Sequence, residues 1–267
     1  MEKINVLGTG AGITVECYST CFTIQNDDKY LLVDTGSGNQ LLNNLEISKI
    51  GIDKIHDLFI SHKHIDHLLG IFTLLRKIFQ NMSRNQYEGE FNIYCDKEIK
   101  KIVDTFIAST FHENHEQQYK EYVKYIFLEN NQKLNIIGYN VEVLDLYSTE
   151  CKQYGFKTCL NNEKELVFLG DVPCSRNIYD KVRNATWMLH EAMCLEEEEQ
   201  IIKAREKNHS TVKDVAEVAE NLNVKNLVLW HTWDNNIKQR KELYTNEAKK
   251  YFNGNVYVPN DLEEIEL

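Results

Sequence analysis

Three histidines and an aspartate stand within six positions, His62, His64, Asp66 and His67, in the run Ser61-His62-Lys63-His64-Ile65-Asp66-His67. The apolar residues Leu58-Phe59-Ile60 precede this run, and the helical pattern Leu68-Leu69-Gly70-Ile71 follows it. No other stretch constrains the fold as strongly, because imidazoles and a carboxylate delivered by a buried strand to a helix start call for a metal. In an extended segment leaving a strand, His62 and His64 point to one side, so two imidazoles converge on one ion. Asp66 and His67 open the next helix and point in different directions, which lets them reach a second ion a few ångströms away. The spacing suits two metals.

The rest of the chain alternates strand and helix patterns. Residues 3–7 form a strand ending in Gly8-Thr9-Gly10-Ala11-Gly12, whose spacing is wrong for a dinucleotide loop and reads as a tight turn. Residues 20–25 and 30–34 form a hairpin joined by Asn26-Asp27-Asp28-Lys29. Its second strand ends at Asp34, a carboxylate placed either to anchor a neighbouring loop or histidine or to cap a turn. After the histidine run, Leu68, Leu69, Phe72, Leu75, Ile78 and Phe79 keep the helical period. A strand over Phe91–Cys95 and a helix over 96–111 come next, and the polar segment 111–116, with His112 and His115, reads as a solvated helix end. An antiparallel run of strands is predicted over 122–128, 133–136, 139–146, 155–160 and 165–169, closing in Gly170-Asp171. A strand over 186–189 hands over His190-Glu191-Ala192, and the acidic residues 196–199 open a helix, where they favour its dipole. His209-Ser210-Thr211 precedes a helix over 212–222 with Ser210 or Thr211 as its N-cap. The strand Asn226–Trp230 hands over His231, and a helix over 236–252 and a last strand complete the chain.

Asp34, Asp171, His190 and His231 each follow an apolar strand. Ends of neighbouring strands meet at one edge of a sheet, where α/β enzymes keep their chemistry, so the pattern predicts one site. Taken singly, His190 and His231 read as core histidines; beside the cluster, His231 reads as a ligand.

The order of these pieces resembles the metallo-β-lactamase superfamily of dinuclear zinc hydrolases. Its marks are His-x-His-x-Asp-His at 62 to 67, Asp34, Gly170-Asp171 and His231. His190-Glu191-Ala192, His209-Ser210-Thr211 and Leu227-Val228-Leu229-Trp230-His231 are similar to the ribonuclease Z branch and its phosphodiesterase relatives. The resemblance implies an αββα sandwich, two mixed sheets flanked by helices, formed by a single domain over 1–267. It implies that His62 and His64 hold one zinc, that Asp66, His67 and His231 hold the other, and that Asp171 bridges them. Asp66, Glu191 and His209 would be the catalytic residues, the last two delivering a proton to the leaving group, with Asp34 behind the ligands. The implied activity is hydrolysis of a phosphodiester by a metal-bound hydroxide, on a small-molecule or nucleotide substrate, by a homodimer.

Two features depart from that pattern. The family expects another histidine ahead of a Gly-aromatic pair; here Leu146-Tyr147-Ser148-Thr149-Glu150-Cys151 precedes Gly155-Phe156, and no histidine lies between His115 and His190. Tyr147 stands where the ligand belongs, with Glu150, Cys151, His112 and His115 as other sources, and a weaker first site would hold one ion or prefer Mn2+ or Fe2+. Transfer-RNA-processing members also carry a long arm, for which the short span from Tyr147 to Asp171 leaves no room.

Charge points the same way. A net charge of −11 lacks the basic field that phosphate backbones require, so nucleic acid is not the favoured partner. A basic mouth built on Lys63 and Arg76 would reverse that reading. Seven cysteines without a CxxC pair read as reduced thiols of a cytoplasmic protein, and no apolar run approaches a membrane span. The remaining alternatives are hydrolysis of a lactone, thioester or other ester, tRNA processing without the arm, and a metal-poor module without catalysis.

Overall fold

The computed structural model describes residues 2–267. The chain forms two compact units, one comprising residues up to Gly8, Thr20–Leu128 and Leu262–Leu267, the other Thr9–Ser19 and Glu129–Asp261.

A seven-stranded mixed sheet carries the first unit. β1 (Glu2–Gly8), β2 (Cys21–Asn26) and β3 (Lys29–Val33) pair antiparallel, and β4 (Ile55–Phe59), β5 (Phe91–Cys95) and β6 (Val123–Phe127) extend the sheet in parallel. The C-terminal strand Glu264–Glu266 closes the other edge against β1. Leu31, Leu32 and Val33 are all buried, the apolar run expected of a strand with neither face in water. Five helices belong to this unit: α1 (Gln40–Ile47), α2 (Ile65–Leu68), α3 (Gly70–Met82), α4 (Lys97–Thr110) and α5 (Glu113–Tyr122). α3 buries Ile71, Phe72, Leu74, Leu75, Ile78 and Phe79, so the predicted Phe72, Leu75, Ile78 and Phe79 face the core, whereas the predicted Leu69 is exposed and Ile71 and Leu74 take part unforeseen. Each of these side chains contributes about 1.5–3 kcal/mol on leaving water.

The second unit also carries a seven-stranded mixed sheet. β7 (Lys133–Ile136), β8 (Tyr139–Asp145), β9 (Tyr154–Cys159) and β10 (Glu165–Phe168) pair antiparallel, and β11 (Trp187–Glu191), β12 (Asn226–Trp230) and β13 (Asn255–Tyr257) continue in parallel from β10. Its helices are α6 (Tyr179–Val182), α7 (Glu199–Ile202), α8 (Val212–Asn221) and α9 (Arg240–Ala248). α8 turns Val212, Val215, Ala216 and Ala219 into a core shared with Met188, Leu227 and Leu229 of the sheet and Tyr244 of α9.

The differences from the sequence reading are local. The hairpin turn is only Asp27-Asp28, with Asn26 paired to Lys29. α1 has no counterpart in the pattern read from the sequence. Burial of Leu41 and Leu45 stabilises it, and Asn44, also buried, donates its amide to Leu7 O at 2.6 Å. β6 does not join the antiparallel run; it pairs parallel with β5, since a strand's own pattern does not name its neighbour. The segment 111–116 is a helix start rather than an end, with His112 at the N-cap of α5. The last helix begins at Arg240, not 236. No described helix is long and apolar enough to cross a membrane.

Candidate metal centre

Register places the first group of residues. Val33 of β3 lies opposite Phe59 of β4, so the residues leaving these strands emerge side by side. Asp34 turns there with φ 57°, its N–H donating to Phe59 O at 2.8 Å. Aspartate is among the few residues that accept this left-handed conformation at modest cost. The turn aims the carboxylate at the histidine run. Asp34 Oδ1 accepts from Ser61 N at 2.8 Å, and Oδ2 accepts from Ser61 Oγ at 2.7 Å and from His67 Nδ1 at 2.8 Å. Because the Ser61 hydroxyl proton goes to Asp34, Ser61 Oγ accepts from His62 Nδ1 at 2.9 Å. One carboxylate therefore sets the tautomers of two imidazoles, leaving Nε2 of each as the nitrogen with a lone pair.

The imidazoles crowd together. The rings of His62 and His67 lie 4.2 Å apart and those of His62 and His64 4.5 Å apart. His67 Nε2 is 3.4 Å from Asp66 Oδ2. His62, Asp66 and His67 are buried, whereas His64, at the N-cap of α2, is half-buried. Imidazole and carboxylate donors of this kind suit zinc, iron or manganese.

The second unit presents its own group. Gly170 leaves β10 with φ 61° and delivers Asp171; His231 leaves β12 with φ 52°. Ligand atoms of Asp171, His209 and His231 lie within 4.8 Å of one another, a set able to hold an ion. Asp171 Oδ2 is 3.6 Å from His231 Nε2, and the rings of His209 and His231 stack at 5.3 Å.

Glu191 and His209 come together through the backbone. Met193 N donates to Ser210 O at 2.9 Å, Val212 N to Cys194 O at 2.9 Å, and Ser210 N to Glu191 Oε1 at 2.6 Å. The His190-Glu191-Ala192 and His209-Ser210-Thr211 pieces are thus two sides of one local structure. Glu191 is fully buried, its Oε2 3.7 Å from His209 Nδ1. Burial opposes charge on His209, but Glu191, Asp171 and Glu150 outweigh it and raise its pKa.

The remaining candidates resolve differently. His190 is a core histidine: it is buried, its Nδ1 donates to Glu191 O at 2.6 Å, and burial lowers its pKa. His112, His115, Glu150 and Cys151 join no group of converging donors among the described residues. Tyr147 is 46% exposed, with φ 57° and its N–H donated to Asp145 Oδ1. Its loop is tied to the His209 segment by Asn208, whose amide donates to Thr149 Oγ1. Lys63 pairs with Glu98 at 2.7 Å, so it builds no basic mouth with Arg76. The sequence reading missed Ser61 as the relay between Asp34 and His62 and Asn208 as the latch; a serine beside a histidine and an asparagine in a loop carry no signal of their own.

With this geometry established, similarity to known proteins is informative. Residues 2–252 match the family described as Anti-Pycsar protein Apyc1. A ribonuclease Z of Archaeoglobus fulgidus is 26% identical, covering 99% of this chain and 97% of its own. That alignment spans 319 positions against a chain of 267 residues, so the relative has segments with no counterpart here. The metallo-β-lactamase fold protein YhfI from Bacillus subtilis superposes with a TM-score of 0.81 at 18% identity, over 100% of this chain and 99% of its own. The short form of human tRNase Z superposes with a TM-score of 0.76 at 19% identity, over 99% and 98%. These likenesses establish the expected fold, an α/β metallo-β-lactamase fold of two mixed sheets with flanking helices.

Proposed function

The chain belongs to the Anti-Pycsar protein Apyc1 family and is a metal-dependent hydrolase of the ribonuclease Z-like kind, and from that premise we propose that it cleaves a phosphodiester in a small or nucleotide substrate. The observation that carries this reading is the neighbourhood of His209. His209, 3.7 Å from buried Glu191, lies with Asp171 and His231. A proton donor beside metal-capable donors is what departure of an alkoxide from phosphorus needs.

In this proposal His62 and His64 would hold one ion, Asp66, His67 and His231 would hold another, and Asp171 would serve both. Zinc is the ion proposed, with Mn2+ or Fe2+ also suited to imidazole and carboxylate donors. When bound, they would supply Lewis acidity and a nucleophile at neutral pH. Asp34 and Ser61 keep Nε2 of His62 and His67 turned to the site. Asp66 orients the nucleophile, and His209 gives its proton to the leaving oxygen while Glu191 stabilises the imidazolium.

The test uses two diesters. On bis-p-nitrophenyl phosphate, His64→Ala and Asp171→Ala abolish metal-dependent cleavage. Glu191→Gln leaves that good leaving group largely unaffected but slows a nucleotide diester with an alkoxide leaving group by about 10²–10⁴-fold. Equal loss on both substrates overturns the assigned proton donor.

A second reading, cleavage of an RNA phosphodiester, draws on the ribonuclease Z similarity. The net charge of −11 and the missing segments favour the small substrate. Turnover of precursor tRNA faster than of any small diester would decide for RNA.

The protein acts as a cytoplasmic homodimer; none of its seven cysteines forms a disulfide. An apolar groove of about 650 Å³ between α2, α3 and α4 offers the pairing face, lined by Ile65, Leu69, Phe72, Ile102 and Phe106. Ile65 is 64% exposed there. Sedimentation should give a dimer for the native chain and a monomer for Ile65→Asp with Phe106→Asp.

A further inference from the structure

We infer that a cleft between α1, α3 and the start of α5 is an anion site for a phosphorylated small molecule, separate from the proposed hydrolytic residues. The cleft encloses about 350 Å³ and is lined by Arg76, Lys77, Arg84 and His115, with Thr73 and Gln80 among its polar walls. All of these residues belong to the first unit.

Sequence explains how the cations gather. Thr73, Arg76, Lys77, Gln80 and Arg84 recur at helical spacing along α3 and just beyond its end, on the strip left outside by its buried apolar face. Between Gly70 and Arg84 there is no aspartate or glutamate. A solvated helix face normally intersperses both signs of charge, and this chain has 41 acidic residues against 30 basic ones. Here no carboxylate lines the cleft. Among the described residues, Arg76, Lys77 and Arg84 take part in no ion pair, whereas Lys63, Lys100, Lys124 and Arg205 each have an acidic partner.

His115 adds an independent sign. Its ring packs against Phe79 and Phe111, and its Nδ1 is buried without a hydrogen-bond partner. Burial lowers its pKa and the charges of Arg76 and His112 add to that, with no acid opposing them, so the positive charge of the cleft comes from Arg76, Lys77 and Arg84. The missing component is negative charge with several acceptor oxygens, the chemistry of a phosphoryl group held by arginine forks. Volume sets the class. The cleft lies near the lower end of small-ligand sites, about 300–1,000 Å³, and a nucleic-acid strand would need a groove following several phosphates.

The test is calorimetric titration of the metal-loaded full chain with two probes, inorganic phosphate and adenosine 5′-monophosphate, at low ionic strength. Both probes carry the phosphoryl group, so tighter binding of the nucleotide would identify a phosphorylated metabolite rather than free phosphate as the natural source. The expected result is binding by the native protein and by His64→Ala alike. Arg76→Gln with Arg84→Gln should weaken it at least ten-fold, with an unchanged circular dichroism spectrum and unchanged cleavage of bis-p-nitrophenyl phosphate. Unaltered affinity in the double variant, or loss of binding in His64→Ala alone, would overturn the assignment. Failure of the hydrolase reading leaves this outcome untouched, because the cleft uses none of its residues.

Discussion

At the scale of single residues, Asp34 organises the Ser61–His67 run. It accepts from Ser61 N, Ser61 Oγ and His67 Nδ1, and through Ser61 it reaches His62. Asn at this position keeps the size and tolerates the left-handed backbone but replaces one acceptor oxygen by a donor NH2. Asp34→Asn should therefore weaken metal binding by about 10–100-fold. It should also cost about 1–3 kcal/mol of stability, because a buried donor loses its acceptor. Competitive metal titration and urea unfolding check the two effects separately; unchanged metal affinity would remove Asp34 from its orienting role. The carboxylate at a strand end was legible in the sequence. Its dependence on Ser61 was not, because the relay is set by the register of β3 against β4.

At the scale of elements, α8 is fixed by the residues that carry His209. Thr211 caps it, accepting from Asp214 N while Asp214 accepts from Thr211 N at 3.0 Å, the reciprocal box that satisfies two end donors. Burial opposes charge on Asp214, but bonds from Arg205 and Thr211 hold its carboxyl below the usual value of 3.8. A folded pKa below the unfolded one gives stability that is present above the unfolded value and lost as pH falls through the folded one. Asp214→Asn should cost about 1 kcal/mol at neutral pH. The gap to the native chain should close on titration below about pH 4. Denaturant unfolding at several pH values checks this, and a gap constant with pH would show that the cap does not depend on charge. Gly70 matters at the same scale. A Cβ there would meet Thr35 O at 2.0 Å, so only glycine lets α3 start against the loop after β3. That requirement was hidden in a helical pattern where any small residue would read equally well.

For the whole molecule, the two units are interleaved in sequence. Both ends of the chain build the first unit's sheet, and residues Thr9–Ser19 belong to the second unit although β1 and β2 belong to the first. We propose that the interleaved units fold as one domain. All three tryptophans, Trp187, Trp230 and Trp233, lie in the second unit, so their fluorescence reports that unit while far-ultraviolet circular dichroism reports both. The two signals should melt together, and separate transitions would divide the chain into two domains. Chelation should lower that shared Tm by about 10 °C, since an ion at a thousand times its Kd stabilises by about 4 kcal/mol.

The sequence by itself determined most strand positions, because period-two and 3.6 patterns are local signals, and its His-x-His-x-Asp-His run with the motifs after it carried the resemblance that implied the fold class and the proposed metal residues. It also exposed the absent histidine around Tyr147, since a missing residue can be read from the order of motifs. Tertiary structure alone decided that β6 pairs with β5, that Ser61 links Asp34 to His62, and that Lys63 is tied to Glu98 while Arg76, Lys77 and Arg84 share a cleft. Each of these depends on which distant segments become neighbours. Chain spacing does not encode that, because burial and register are settled only when the sheets and helices pack.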